Sequence, residues 1–393
     1  MDFKNRRLLM ILHSYANFTK DQIECIAPHF GYVDVLVRYA PIAEISNFIP
    51  INALKPFRRA AKIDVRDLPS NIRVTLVPLW YLPTDAGRKA LGEKHFQAID
   101  RLITRYNIEF DVVHAHFAWS AGYVGARLKE KYGVPLVVTA HRYDVTELPF
   151  KDEDWRCKIR YVLNTADYII SVSNSNIDYI KRLDVYAPWV VIPNGFRDRL
   201  FYPQDTLECR KSLGLPPEAK IILNVASLIP RKGHQYLVSA MQLVTERRGD
   251  VICIIVGDGP LKRKLEKQIV RSGLSSHIKL LDIKPHHELV TWMNACDLFV
   301  LPSLEESFGV VQVEAMACGK PVVATYNGGS EEVIVSEDVG YLVEPANPGL
   351  LADRILAALD RSWDAAAINK FAQQFRWEDI TKRIMGVYQT VLK

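Results

Sequence analysis

Short apolar runs alternate along this chain with longer stretches of helical period. Runs at 8–12, 33–37, 111–115, 136–139, 168–171 and 190–192 precede a proline-marked linker, Pro193-Asn194-Gly195 followed by Pro203 and Pro216-Pro217. A second series follows at 221–225, 251–256, 278–281, 298–301, 322–324 and 340–343. Each run is short, nearly continuous in its apolar character and bounded by turn residues, which predicts a buried parallel strand. Strand–helix alternation on this scale predicts an α/β protein of doubly wound parallel sheets, and two series predict two such domains. The division is expected near residue 200, giving 1–200 and 201–374. The last segment, 377–392, is an amphipathic helix with no strand after it.

One stretch, "SLEESFGVVQVEAMACGKPVVAT" at 303–325, holds a carboxylate at each end of an apolar span. The run before it ends at Pro302, the helical pattern begins at Phe308, Gly319-Lys320-Pro321 closes the helix, and 321–325 is the next strand. Glu306 therefore falls on the loop at the C-terminal end of a strand, and Glu314 inside the following helix. In open α/β sheets that strand end is where ligands bind, and a helix start near Phe308-Gly309 offers free N–H groups to an anion. Taken singly, Glu306 reads first as a carboxylate that favours the helix dipole, and Glu314 as a solvent-facing residue. The pair, with Phe308-Gly309 between, is the more specific signal.

Glu306 and Glu314, followed by Ala315-Met316-Ala317, Gly319, Pro321 and Gly328-Gly329, resemble the donor-site signature of retaining glycosyltransferases of family 4. The resemblance implies the GT-B fold, two Rossmann-like domains facing across a cleft, with the terminal helix (375–393) crossing back to the first. It implies that Glu314 holds the ribose of a nucleotide-sugar, and that Glu306 and the backbone at Phe308, Gly309 and Val310 contact the transferred sugar. Pro193-Asn194-Gly195 is similar to the family's interdomain segment, and Gly257 and Gly259 form a tight turn beside the donor. Lys232 matches the diphosphate-binding lysine. Ser227 stands where the family has arginine, and Arg231 is the candidate to replace that charge, with a surface role the equal alternative. Ile283 and Lys284 lie on the loop that faces the nucleobase. His141, after a "VVTAH" run, matches an active-site histidine that orients the donor sugar. The loop after the first strand, His13 to Lys20, lacks the usual glycines, so the acceptor is not carried over; Asn17 and Asp144 are the acceptor-side candidates. The family needs no divalent metal or other cofactor, the nucleotide-sugar being a co-substrate, and works by front-face displacement. His286 and His287 are adjacent without a third ligand at metal spacing and read as polar helix-start residues.

Composition narrows the partners. The chain is 393 residues long, 49% hydrophobic and 24% charged, with a net charge of +5. That mild basic excess suits anionic substrates or a membrane surface and is too weak to argue for nucleic acid. Six scattered cysteines without C-x-x-C spacing suit a cytoplasmic protein with reduced thiols. The start, Lys4-Asn5-Arg6-Arg7 and then 8–12, mimics a signal peptide, but its apolar run is too short and a first strand explains it better. Segment 54–66 holds Lys55, Arg58, Arg59, Lys62 and Arg66 against Asp64 alone. If helical, it places Leu54, Phe57, Ala61 and Val65 on one face, which would suit peripheral contact with an anionic inner membrane surface and a glycan or lipid-linked acceptor. A solvated loop is the competing reading, helped by Pro56. The expected activity is retaining transfer in polysaccharide or glycolipid biosynthesis. A nucleotide-sugar epimerase and a non-catalytic sugar-binding protein of the same fold are the alternatives.

Overall fold

The apolar runs become the strands of two all-parallel sheets. The computed structural model describes residues 3–47, 57–82 and 84–393, in two units: 1–194 with 377–393, and 195–376. The first boundary falls at 194/195 rather than 200/201. Phe196 and Phe201 are buried in the core of the second unit, and Phe196 donates its N–H to the Phe375 carbonyl at 3.0 Å.

The first unit contains β1 (Phe3–Leu12), β2 (Phe30–Tyr39), β3 (Ile72–Pro78), β4 (Val112–His116), β5 (Leu136–Ala140), β6 (Tyr168–Ser171) and β7 (Trp189–Val191), ordered β3-β2-β1-β4-β5-β6-β7. Strand β3 was absent from the expected series. It is an edge strand whose apolar residues Ile72, Val74 and Leu76 alternate with Arg73 and Thr75, so it carries no continuous apolar run. The central strands β4 and β5 are buried on both faces. Along β1, Leu8, Met10 and Leu12 join one core while Leu9 and Ile11 join the other, as a period of two requires. The helix Trp377–Val391 covers the first of these faces with Ile380, Ile384 and Tyr388. Burying each isoleucine contributes roughly 1.5–3 kcal/mol, enough to fix this terminal helix to the first sheet.

The second unit contains β8 (Lys220–Val225), β9 (Val251–Val256), β10 (Ile278–Leu281), β11 (Leu298–Leu301), β12 (Val322–Thr325) and β13 (Gly340–Val343), ordered β10-β9-β8-β11-β12-β13. The strand order reverses between β8 and β11. At such a switch point the two following loops diverge to opposite faces and leave a crevice at the C-terminal strand ends. Asn224 ties the two strands together below it, donating Nδ2–H to the Val300 carbonyl at 2.8 Å. No helix of the described residues is long and apolar enough to cross a membrane.

Candidate active site

The loops after β8 and β11 meet at this switch point. Gly233 has φ +65°, and a Cβ there would lie 2.0 Å from the Pro302 carbonyl oxygen, so only glycine lets the first loop lie this close to the second. The Leu304 N–H donates to the Arg231 carbonyl at 2.7 Å and holds the loops in register. The contact brings the Lys232 ammonium to 2.5 Å from Glu306 Oε1, which also accepts the Ser303 hydroxyl at 2.7 Å. Ser303 and Glu306 are buried, and Lys232 is largely so. Arg231 and Ser227 are both exposed.

Beyond Glu306 the chain turns through Phe308, whose ring is buried 5.5 Å from that of Phe375. Gly309 follows at φ +81° as the N-cap of the helix Val310–Ala317. A Cβ on Gly329 would come within 2.7 Å of the Phe308 N, which explains the bare backbone there, and Gly328 before it sits at φ +87°. The helix carries Glu314, buried, with Oε1 2.7 Å from His286 Nε2. The His286 ring lies 5.0 Å from Phe201. His286 begins the helix His286–Ala295 as expected, but it also braces the second glutamate. Sequence spacing gave no sign of this, since the two residues come together only when the helices pack.

Gly257 and Gly259 occupy the turn after β9. Cβ atoms there would lie 2.0 Å from the Ala226 carbonyl oxygen and 2.5 Å from that of Leu228, so both glycines serve close packing of this turn on the loop after β8. Ile283 is exposed and Lys284 half-buried on the loop after β10. Among the described residues no group of three or more His, Cys, Asp or Glu could hold a metal ion.

In the first unit the strand ends gather histidines. His141 follows β5, is buried, and lies 3.3 Å through Nε2 from His116 Nδ1, with the Phe117 ring stacked on it at 4.2 Å. His114 sits between the Tyr388 hydroxyl at 2.5 Å and the Thr139 hydroxyl at 2.7 Å. Burial pulls His141 and His114 down to about 3, so both are neutral. Asp144 is buried, with Oδ2 accepting the Ala118 N–H, and burial pushes its carboxyl up to about 7. Asn17 is exposed at the start of the helix Asn17–Ile26.

The amphipathic helix expected over 54–66 is not formed in its described part, 57–66; residues 54–56 lie outside the described residues. Only Arg59–Lys62 is helical, and Ile63 bridges to Tyr15 in extended form. Arg58 donates to the Ser46 hydroxyl at 2.7 Å, and Arg66 pairs with Asp64 at 2.8 Å. The long-range contacts of Arg58 and Ile63 therefore replace the helix, and Phe57 and Val65, two residues of the expected apolar face, are exposed.

Residues 205–375 match the family model described as glycosyl transferases group 1, and residues 55–199 match that of glycosyltransferase family 4. A relative called an uncharacterized glycosyltransferase, from Methanocaldococcus jannaschii, is 32% identical over 311 residues, covering 75% of this chain and 82% of the relative. A D-inositol 3-phosphate glycosyltransferase from Acidothermus cellulolyticus is 30% identical over 304 residues, covering 72% of this chain and 68% of that one. Among solved structures, sucrose-phosphate synthase from Thermosynechococcus elongatus superposes with a TM-score of 0.79 at 24% identity, covering 98% of both chains.

Proposed function

This chain belongs to the group 1 and family 4 glycosyltransferases, with their two Rossmann-like domains, and on that premise we propose that it is a retaining enzyme using a nucleotide-sugar donor. The observation that carries the reading is the convergence of Lys232, Ser303 and Glu306 at the switch point of the second sheet, with Glu314 on the helix that follows. In this reading Glu314 accepts the vicinal ribose hydroxyls, a task that suits a carboxylate with two acceptor oxygens. Its bond to His286 fixes the side chain before donor arrives. Lys232 faces the diphosphate, assisted by Arg231, and the N–H groups at Gly309 and Val310 add the positive end of a helix. Charge that develops on the leaving diphosphate is stabilised where these groups are already in place.

Glu306 keeps Lys232 in position and contacts the transferred sugar when donor binds. His141 takes the sugar-orienting role. Its imidazole, held neutral by burial, is too weak a base to deprotonate an acceptor hydroxyl. That favours front-face displacement, in which the leaving phosphate oxygen takes the acceptor proton. The acceptor is a glycan or lipid-linked sugar of polysaccharide or glycolipid biosynthesis.

Thermal shift against a panel of nucleoside diphosphates and their sugars tests the donor assignment, because a ligand of the native state raises its stability. At least one should raise the melting temperature of the wild type and fail to do so with Glu314→Ala. A folded protein that responds to none, and hydrolyses none, would remove the reading.

A further inference from the structure

The first unit holds a cavity of about 400 Å3 whose occupant the donor chemistry leaves unassigned. It opens at the C-terminal strand ends, the ligand side of such a sheet: His13 follows β1, Arg38 closes β2, Tyr81 follows β3 and Phe117 follows β4. Its size suits one or two sugar rings. Much of its lining is aromatic. Trp119 and Trp155 meet edge to face at 5.4 Å, and Tyr81 and Tyr143 are half-buried beside them. The Trp119 indole is held in place by its N–H, which donates to the Arg88 carbonyl at 2.8 Å.

Two polar groups of this cavity are incompletely satisfied: Arg38 shares a hydrogen bond with Tyr81 but not through Nε, and burial holds the His13 imidazole neutral. Arg38 Nε and His13 Nε2 are covered from solvent with no hydrogen-bond partner among the described residues. Arg88 also lines the cavity. Lys62, on the wall of the adjoining hollow with Arg38, holds its ammonium 5.4 Å above the Phe57 ring. Its pKa falls to about 8 through burial and the neighbouring Arg38. Against these charges the lining offers one carboxyl, Asp144, whose Oδ1 is likewise buried without a partner. Acidic residues on nearby segments are committed elsewhere: Asp85 to the Trp155 N–H at 3.0 Å and Lys89 at 3.3 Å, Asp152 to Lys89 at 2.7 Å, and Asp64 to Arg66. Residues 48–56 contain no acidic residue.

A desolvated cation without a counter-ion is costly, and so is each buried polar atom left unpaired. Both costs vanish when an anion enters. We propose that this cavity is the acceptor subsite and that it selects an anionic sugar, one bearing a phosphate or carboxylate that Arg38 and His13 receive while the ring lies among the aromatic side chains. This rests on the glycosyltransferase reading for its role in transfer, but the binding stands on the cavity alone. Asp144 then has a part as well: a carboxyl protonated near neutral pH donates its O–H to the same anion instead of repelling it.

The test measures the melting temperature and tryptophan fluorescence of the full chain with glucose 6-phosphate, glucuronate, inorganic phosphate and glucose at matched ionic strength. One charged sugar should act at about a tenfold or more lower concentration than glucose, the margin expected for charge-assisted hydrogen bonds. Response to glucose 6-phosphate assigns a phosphate-bearing acceptor, and response to glucuronate a uronic acid. The effect should vanish in Arg38→Met, persist weakly in Arg38→Lys, and survive Lys232→Met, which alters the second unit only. The proposal is overturned if no charged sugar outperforms glucose, if the response survives Arg38→Met, or if Lys232→Met abolishes it. The wild-type fluorescence comparison decides the matter even where a variant misfolds. Loss of charged-sugar binding with nucleoside diphosphate binding intact defeats this inference alone. The reverse pattern defeats the donor assignment and leaves the subsite standing.

Discussion

Lys232 and Glu306 form one contact on which stability and the proposed chemistry both depend. Their 2.5 Å pair is largely sheltered, with 18% and 9% of the two side chains exposed, so removing either partner strands the other. Lys232→Met and Glu306→Gln should each destabilise the second unit by roughly 3 kcal/mol, near the low end for buried pairs because the lysine keeps some solvent. The double variant should recover part of that loss in denaturant melts; additive losses would mean that the pair does not couple. Activity should separate from stability: in the proposed transfer Lys232 carries charge needed most as the diphosphate departs, so Lys232→Met should lower kcat more than it raises KM. Glu314→Ala should weaken nucleoside diphosphate binding by roughly 1.5–3 kcal/mol, the loss expected for a charged hydrogen bond. Calorimetry showing unchanged affinity in a folded Glu314→Ala protein would take the ribose away from this residue. His286→Ala should weaken binding less, because it loosens the carboxylate without deleting it.

Elements explain how far the sequence could be read. Strands buried on both faces are apolar almost throughout, so β9, β11 and β12 stand out as continuous runs. The edge strand β3 faces only one neighbour and keeps Arg73 and Thr75, which breaks the run that would have revealed it. Segment 54–66 shows the converse: its local pattern fits a helix, but the Tyr15–Ile63 bridge and the Arg58–Ser46 bond are long-range contacts that outweigh it. The same division applies to the site. Glu306, Phe308, Gly309 and Glu314 are close in sequence and legible together, whereas the bond from His286 to Glu314 and the Arg38 cavity are assembled from distant segments. Gly233 lies between these cases, readable as a turn but not as a seam. At φ +65° any other residue is strained by about 1–2 kcal/mol, and its Cβ would also strike the Pro302 carbonyl. Gly233→Ala should therefore lower the melting temperature and push Lys232 away from Glu306, with turnover falling. Gly249→Ala is the control, since its Cβ meets nothing within 4 Å. Equal melting temperatures for the two variants would show that the loops after β8 and β11 need not touch as closely as described.

At the scale of the whole molecule the buried histidines make stability depend on pH, and unevenly. His13, His95, His114, His116 and His141 all belong to the first unit, and burial lowers each of them, with Arg38 adding to the effect at His13 and His95. For His95, His114 and His141 the folded value is about 3, against an ordinary value near 6.5 in the unfolded chain. Between those limits the unfolded state takes up protons that the folded state refuses, so stability falls as pH falls. Each such histidine contributes a slope of up to about 1.4 kcal/mol per pH unit. Asp144 works the other way. Its folded value near 7 lies above the ordinary 3.8, so the folded state holds the extra proton and gains stability as pH falls through the same range. One carboxyl offsets about one histidine, and the remaining histidines set the sign. The first unit should lose several kcal/mol between pH 6.5 and 4.5, while the second, with His234 lowered to about 4, loses less. Denaturant melts at a series of pH values, followed by the fluorescence of Trp119 and Trp155 for the first unit and of Trp292 and Trp363 for the second, should show the first midpoint moving further. His95→Gln should flatten the first unit's pH slope by about one proton. A first-unit midpoint that holds steady or rises on acidification would mean that these imidazoles are charged in the fold, and the neutral His141 on which front-face displacement was argued would go with them.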